Sequence, residues 1–171
     1  MEILFFICIA VVSRLIPHLP NMTAVGAMAL FTGAKYSLRK SFFITFAAML
    51  CTDVLLGFHP VMWATYGSFF ITILLGRLIG RQNNWKFIGV VTLVSSLQFF
   101  ILTNFAVWFT GYWYSKTLTG LIECYVMALP FLRTSLLGDV FYTTVFFSAY
   151  EIVRKYNPKY QVNLLNKYIR K

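Results

Sequence analysis

The sequence is poor in charged residues: they make up 12% of its 171 positions, and only five residues are Asp or Glu. Soluble domains carry about 25% charged residues. Hydrophobic residues account for 59% of the chain, more than a soluble fold of this size can cover, because roughly 30% of its surface stays wet. These proportions argue against a soluble enzyme and a disordered chain, and they indicate a single polytopic membrane domain.

Cysteines and the motifs of enzymes are also scarce. Cys8, Cys51 and Cys124 have no metal-ligand spacing, and two of them fall in apolar segments, which argues against a disulfide framework. The sequence contains no G-x-S-x-G, H-E-x-x-H or G-x-G-x-x-G motif and no P-loop. We therefore expect neither an enzyme nor a metal or cofactor site, and no ATP hydrolysis by this chain alone.

Six apolar segments, separated by turn-forming residues, predict six helices in a membrane. A helix needs about 20 residues to cross the hydrocarbon layer, and the last three segments are long enough. The second segment is short, but its Ala and Gly residues allow close packing inside a bundle; a re-entrant segment is the alternative. The segments are Ile3–Pro17, Met22–Ala34, Ser41–Gly57, Pro60–Gly80, Phe87–Trp108 and Ser135–Val153.

The remaining stretches complete the predicted architecture. Glu2 precedes the first segment where a signal peptide would have Lys or Arg, so we expect a retained helix there. Residues 121–133 predict a short extra helix, ended or kinked at Pro130, that caps the outer face of the bundle. The predicted fold is thus an all-α integral membrane protein, with one six-helix transmembrane domain over 1–155 and a basic cytoplasmic tail over 156–171.

Basic residues exceed acidic ones by ten, which in a soluble protein would suggest nucleic acid. With the N-terminus in the cytoplasm, twelve of the 15 Lys and Arg residues fall on the cytoplasmic side, and only Arg14, Lys116 and Arg133 lie toward the outside. The positive-inside rule explains this asymmetry without nucleic acid. We expect a bacterial inner-membrane protein with both termini cytoplasmic and a tail on anionic lipid, or docked to a cytoplasmic partner.

Two carboxylates, Asp53 and Asp139, lie in the outer part of the predicted spans. An ionisable group inside the bilayer costs about 2.5–3.5 kcal/mol on insertion scales, so such a group is usually functional or paired. Asp53 and Asp139 could therefore face a common substrate cavity. The alternative for each is a structural ion pair with Arg14 or Arg133. Asp53 is the stronger candidate for a site residue.

Histidine, amide and aromatic side chains gather at the same end. The two histidines could instead cap helices or contact headgroups, and the aromatic residues could form an interfacial belt. Together the side chains predict a pocket that combines stacking with hydrogen bonds and charge. The predicted substrate-binding residues are Arg14, His18, Asn21, Asp53, His59, Tyr66, Asn104, Trp108, Tyr114 and Asp139.

Several stretches resemble an uncharacterised bacterial family of membrane transport proteins. They are Arg14–Phe31, Ala48–His59, Thr103–Trp108, Tyr112–Tyr114 and Ala128–Phe131. That family is similar to the S components of energy-coupling-factor (ECF) transporters, six-helix membrane proteins that bind a vitamin or a similar small molecule near the outer face. Gly33–Gly57 resembles the second and third helices of S components.

The resemblance implies a membrane-embedded subunit that binds a small, vitamin-like or partly aromatic nutrient for uptake. Separate ATPase and coupling subunits would supply energy, docking on small residues such as Ala24, Ala27, Gly33 and Ala34. The main alternative is a solitary facilitator or proton-linked transporter with Asp53 or Asp139 as proton carrier. An intramembrane enzyme and a structural membrane subunit are further alternatives.

Overall fold

The structure, a computed structural model, describes residues 2–17, 19–82 and 84–156, and in these residues the chain is helical with short connections. The predicted all-α class with six helices is confirmed. Most of the predicted tail, 156–171, lies outside the described residues. The helices are α1 Glu2–Leu15, α2 Val25–Lys35, α3 Leu38–Leu56, α4 Met62–Gln82, α5 Trp85–Thr110 and α6 Leu118–Tyr156.

Three of the described helices are long and apolar enough to cross a membrane. These segments are Met62–Gly80, Trp85–Thr110 and Leu118–Tyr156, with 19, 26 and 39 residues. Helices α1 and α2 have 14 and 11 residues and reach only roughly 21 and 16 Å at 1.5 Å per residue. Helices α1 and α2 are therefore too short to cross the hydrocarbon layer by themselves, and packing against the longer helices has to position them.

Helix α2 occupies the centre of the bundle, where it contacts all five other helices. Its crossing with α4 is close because glycines stand at the contact. A Cβ atom on Gly33 would lie 2.2 Å from the carbonyl oxygen of Ile73, and one on Gly76 would lie 2.2 Å from that of Leu30. The close packing predicted for the short second segment is thereby confirmed.

The same packing corrects one expectation from the resemblance. Ala24, Ala27 and Gly33, proposed to dock an energising partner, are buried inside the chain. Ala34 is half-buried, and its carbonyl oxygen would lie 2.6 Å from a Cβ atom on Gly80. This small-residue face is already covered by the protein's own helices, so it is not available as a docking surface.

Helix α6 corrects the predicted cap. Residues 121–133 are not a separate helix: α6 continues from Leu118 through Pro130 to Tyr156. Pro130 removes one backbone donor, but none of the four residues after it is a glycine or asparagine that would end the helix. The first turns of α6 lie along α5, where the Tyr125 hydroxyl donates to the Ile101 carbonyl at 2.8 Å.

Aromatic rings fix the end of the bundle where α2 and α6 finish. The Phe31 ring packs against Phe6, Phe146 and Phe147, with centroids 5.2–5.8 Å apart. The Lys35 ammonium lies 4.6 Å from the centre of the Tyr150 ring. Several basic residues of the described helices lie toward this end, which we call the basic end: Lys35, Arg39, Lys40, Arg77, Lys86 and Arg154. The opposite end is formed by the last turns of α1, α3 and α5 and the first turns of α2 and α4.

Candidate functional site

A cavity of about 400 Å³ lies at the end opposite the basic residues. All six helices contribute to its wall, together with the loops that join α1 to α2 and α3 to α4. Small-molecule pockets in proteins usually have about 300–1,000 Å³. One chain therefore encloses a space large enough for a small organic molecule.

Polar side chains stand at the mouth of the cavity. Asn21, His59 and Asn104 line it, each from a different part of the chain. Asn21 has a φ of 62°, a left-handed conformation that asparagine tolerates better than most residues. Its loop is held on α6, where the Thr134 hydroxyl donates to the Pro20 carbonyl at 2.5 Å. The mouth thus presents amide and imidazole groups on a constrained loop.

The middle of the cavity combines aromatic rings and hydroxyl groups, and both come from α4 and α5. Phe69 and Phe99 line it, with ring centroids 5.2 Å apart. Thr72 and Ser95 also line it, and their hydroxyl oxygens are 3.1 Å apart. The Gln98 amide donates to the Thr72 hydroxyl at 3.1 Å. These bonds fix α4 against α5 and orient the hydroxyl groups that the cavity exposes.

Arg14 lines the cavity but is held from behind by α3. One guanidinium nitrogen, Nη2, forms an ion pair with Asp53 Oδ1 at 2.9 Å, and the Asp53 side chain is only 1% exposed. The other, Nη1, lies 2.9 Å from Met49 Sδ and 2.5 Å from Thr52 Oγ1. Tyr66 completes the cluster, because its hydroxyl donates to Asp53 Oδ2 at 2.8 Å. Both oxygens of Asp53 are therefore occupied.

Asp139 lies deeper in the cavity, at its floor. Its Oδ2 accepts a hydrogen bond from the Ser96 hydroxyl at 2.6 Å. Its Oδ1 faces Gly26 of α2 so closely that a Cβ atom there would lie 2.4 Å away. Because Gly26 has no Cβ atom, the Asp139 carboxylate fits beside α2. The Asp139 side chain also lines the cavity.

The structure brings half of the predicted residues to the cavity wall and leaves the others elsewhere. Asp53 and Tyr66 lie behind Arg14. The Trp108 indole donates to the Ser115 carbonyl at 2.9 Å, and so braces the loop before α6; Tyr114 in that loop is half-buried and outside the lining. His18 is outside the described residues. The predicted residues that line the cavity are Arg14, Asn21, His59, Asn104 and Asp139.

Sequence reasoning missed the uncharged part of the lining. Its members include Thr23, Gly26, Thr72, Ser95, Phe69 and Phe99. Ser, Thr and Phe occur throughout apolar helices, so only their place in the packed bundle distinguishes these copies.

No metal site is apparent in the described ranges: they contain no group of three or more His, Cys, Asp or Glu residues placed to hold an ion. The arrangement offers several kinds of group for noncovalent contacts with a small molecule. It combines one carboxylate, one paired guanidinium, amides, hydroxyl groups and aromatic rings.

Comparison with known protein families gives one match. Residues 1–161 match DUF6580, described as a family of unknown function. The chain belongs to this family. No curated protein and no solved structure matches this DUF6580 member.

Proposed function

We propose that this protein is a membrane-embedded substrate-binding subunit, similar to an S component, for uptake of a small organic nutrient. The observation that carries the proposal is the cavity of about 400 Å³, which one chain encloses with polar groups at the mouth and a carboxylate at the floor. Three helices with the length and apolarity of membrane spans support a place in the membrane. A partly aromatic nutrient would suit the Phe69 and Phe99 rings.

The proposed orientation puts the cavity toward the outside of a bacterial inner membrane and both termini in the cytoplasm. It is supported by the basic residues at the end opposite the cavity, as the positive-inside rule requires. Reporter fusions at Met1 and Lys171 test the orientation. A reporter active outside at either terminus would contradict it and would place the cavity on the cytoplasmic side.

Separate ATPase and coupling subunits would drive uptake, because the sequence has no ATP-binding motif. Their docking surface would have to lie outside the small-residue face of α2, which is buried. Membrane lipid is the other expected partner; nucleic acid is not.

Native mass spectrometry of protein purified gently from its own membranes tests the binding function. We expect a small molecule retained by single copies of the chain, because one chain supplies every described residue of the cavity wall. Protein that never carries a small molecule, or a ligand found only between two copies, would contradict this proposal.

A proton-linked transporter is the second candidate, and the position of Asp139 favours it over a structural subunit. A carboxylate that faces a cavity and lacks a protein cation can take up and release a proton. Asp53 suits that role less well, because Arg14 and Tyr66 occupy its oxygens. Uptake into proteoliposomes that contain this chain alone, driven by a pH gradient, would favour the transporter over the binding subunit.

A further inference from the structure

The carboxylate at the cavity floor has no cation of the protein beside it. Among the residues whose side chains the structure describes, no Lys, Arg or His nitrogen lies within 4.0 Å of an Asp139 oxygen. The Ser96 hydroxyl supplies one hydrogen bond, and Oδ1 receives none from these residues. A carboxylate removed from bulk water is stabilised by a cation or by several hydrogen-bond donors. The described residues supply Asp139 with one donor, so a ligand could supply the missing cation or donors.

The other charged group of the cavity does not compensate for Asp139. Arg14 is neutralised by Asp53, and the Arg14 guanidinium also contacts Met49 and Thr52. The cavity therefore has an excess negative charge that comes from its floor. A ligand with a carboxylate or phosphate at that depth would be repelled, while a protonated nitrogen would be attracted.

Depth and shape restrict the ligand further. Ser96 and Asn104 both lie on α5, eight residues apart, so the floor lies about 12 Å below the amide at the mouth. Between the two levels the wall presents the Phe69 and Phe99 rings. A flat apolar body of the size of one or two fused rings would cover these rings while its charged end meets Asp139.

We propose that the ligand of this cavity is a small organic cation, in which a protonated amine or ring nitrogen binds the Asp139 carboxylate and an aromatic body packs on Phe69 and Phe99. This assignment of the substrate class rests on the proposed binding function. It gives Asp139 the role of a charge-selecting residue and leaves Asp53 with the task of holding Arg14.

Three compounds with a common indole ring test the charge preference. Tryptamine carries an ammonium group, tryptophol a hydroxyl group and indole-3-acetate a carboxylate. Binding is measured by thermal shift and calorimetry on the full chain in phosphatidylcholine nanodiscs, at up to about 10 mM, tenfold above a millimolar dissociation constant. We expect tryptamine to bind at least about tenfold more tightly than tryptophol, the discrimination of one charge-assisted hydrogen bond, and indole-3-acetate to bind most weakly.

Two variants test whether the Asp139 carboxylate causes the preference for the cation. Asp139→Asn keeps the shape of the side chain but removes its charge, and we expect the ratio of tryptamine to tryptophol affinity to fall toward one. Gly26→Ala keeps the charge but displaces the carboxylate, because the new Cβ atom would lie 2.4 Å from Oδ1; we expect an intermediate ratio. Gly89→Ala, which has no atom within 4 Å of its new Cβ atom, is the matched control and should keep the wild-type ratio.

Other outcomes would overturn the assignment. Equal or tighter binding of tryptophol or indole-3-acetate by the wild type, or a cation preference that survives Asp139→Asn in a folded variant, would refute the substrate class and leave the binding function intact. A neutral or acidic molecule recovered by native mass spectrometry would do the same. If no compound binds and no molecule is recovered, both the substrate class and the binding function are wrong.

Discussion

Asp53 and Asp139 are the same kind of residue in similar apolar helices, yet their surroundings differ. Asp53 is 1% exposed, and its two oxygens meet the Arg14 guanidinium and the Tyr66 hydroxyl. Asp139 has a single hydroxyl donor among the described residues and faces the cavity. From this difference we expect a structural role for Asp53 and a ligand-binding role for Asp139. What distinguishes the two is whether the protein supplies the opposite charge.

The largest expected effect is that of Asp53→Asn on stability. The substitution leaves the partly buried Arg14 without its counter-ion, and breaking a buried pair from one side costs about 3–5 kcal/mol. We expect about 3 kcal/mol, because the Arg14 side chain retains 17% exposure. Chemical denaturation in detergent measures the loss. A double-mutant cycle with Arg14→Met should show that the two losses are not additive, whereas additive losses would mean that the pair is not coupled.

Tyr66→Phe removes the second contact of Asp53. The hydroxyl bonds to a charged oxygen at 2.8 Å, and such bonds contribute about 1.5–3 kcal/mol. Tyr125→Phe is the matched control, because its hydroxyl donates to the neutral Ile101 carbonyl at the same 2.8 Å and should contribute about 0.5–1.5 kcal/mol. Equal losses in the two variants would show that the charge of Asp53 does not strengthen its bond.

Two glycine substitutions compare a contact with rigid backbone, at Gly76, and a contact with a flexible side chain, at Gly26. Gly76→Ala drives a Cβ atom to 2.2 Å from the backbone of Leu30, so α2 and α4 must separate, and we expect a loss of about 1–3 kcal/mol. Gly26→Ala meets only the end of a side chain and should cost less. Gly67→Ala, with open space around it, should stabilise α4 by up to about 1 kcal/mol. Similar melting temperatures for all three variants would contradict the close crossing.

The smallest expected effect on stability is that of Asp139→Asn. Asparagine keeps an oxygen for the Ser96 hydroxyl and removes a charge that no cation among the described side chains balances, so we expect a change within about 1 kcal/mol. Thermal melting next to Asp53→Asn tests the contrast. A loss for Asp139→Asn as large as that for Asp53→Asn would mean that Asp139 is also structural.

Much of the fold follows from the sequence because apolar segments and turn residues act locally. The six helices and the gathering of polar groups at one end are both predicted. The prediction of a separate cap helix is wrong because a proline ends a helix only where the residues after it also favour a stop, and the four residues after Pro130 include no glycine or asparagine. The length of α6 depends on its packing against α5, which no local pattern encodes.

The candidate site is only partly predictable. Charged and amide residues are rare enough in apolar helices to stand out, so Arg14, Asn104 and Asp139 were identified. Which carboxylate pairs with Arg14 depends on the packing of α1 on α3, and no local pattern in the sequence encodes that packing. That Asp53 is the stronger candidate for a site residue stays a prediction. Trp108 was assigned to the pocket for its ring, although its indole nitrogen holds a loop.

The most direct test of the central claim is the affinity of Asp139→Asn for the molecule that native mass spectrometry recovers from the wild type, measured together with its melting temperature. We expect an affinity lower by at least about tenfold, equivalent to about 1.4 kcal/mol, with a change in stability within about 1 kcal/mol. Unchanged affinity in a folded Asp139→Asn variant would contradict the claim that the cavity binds its ligand through this carboxylate.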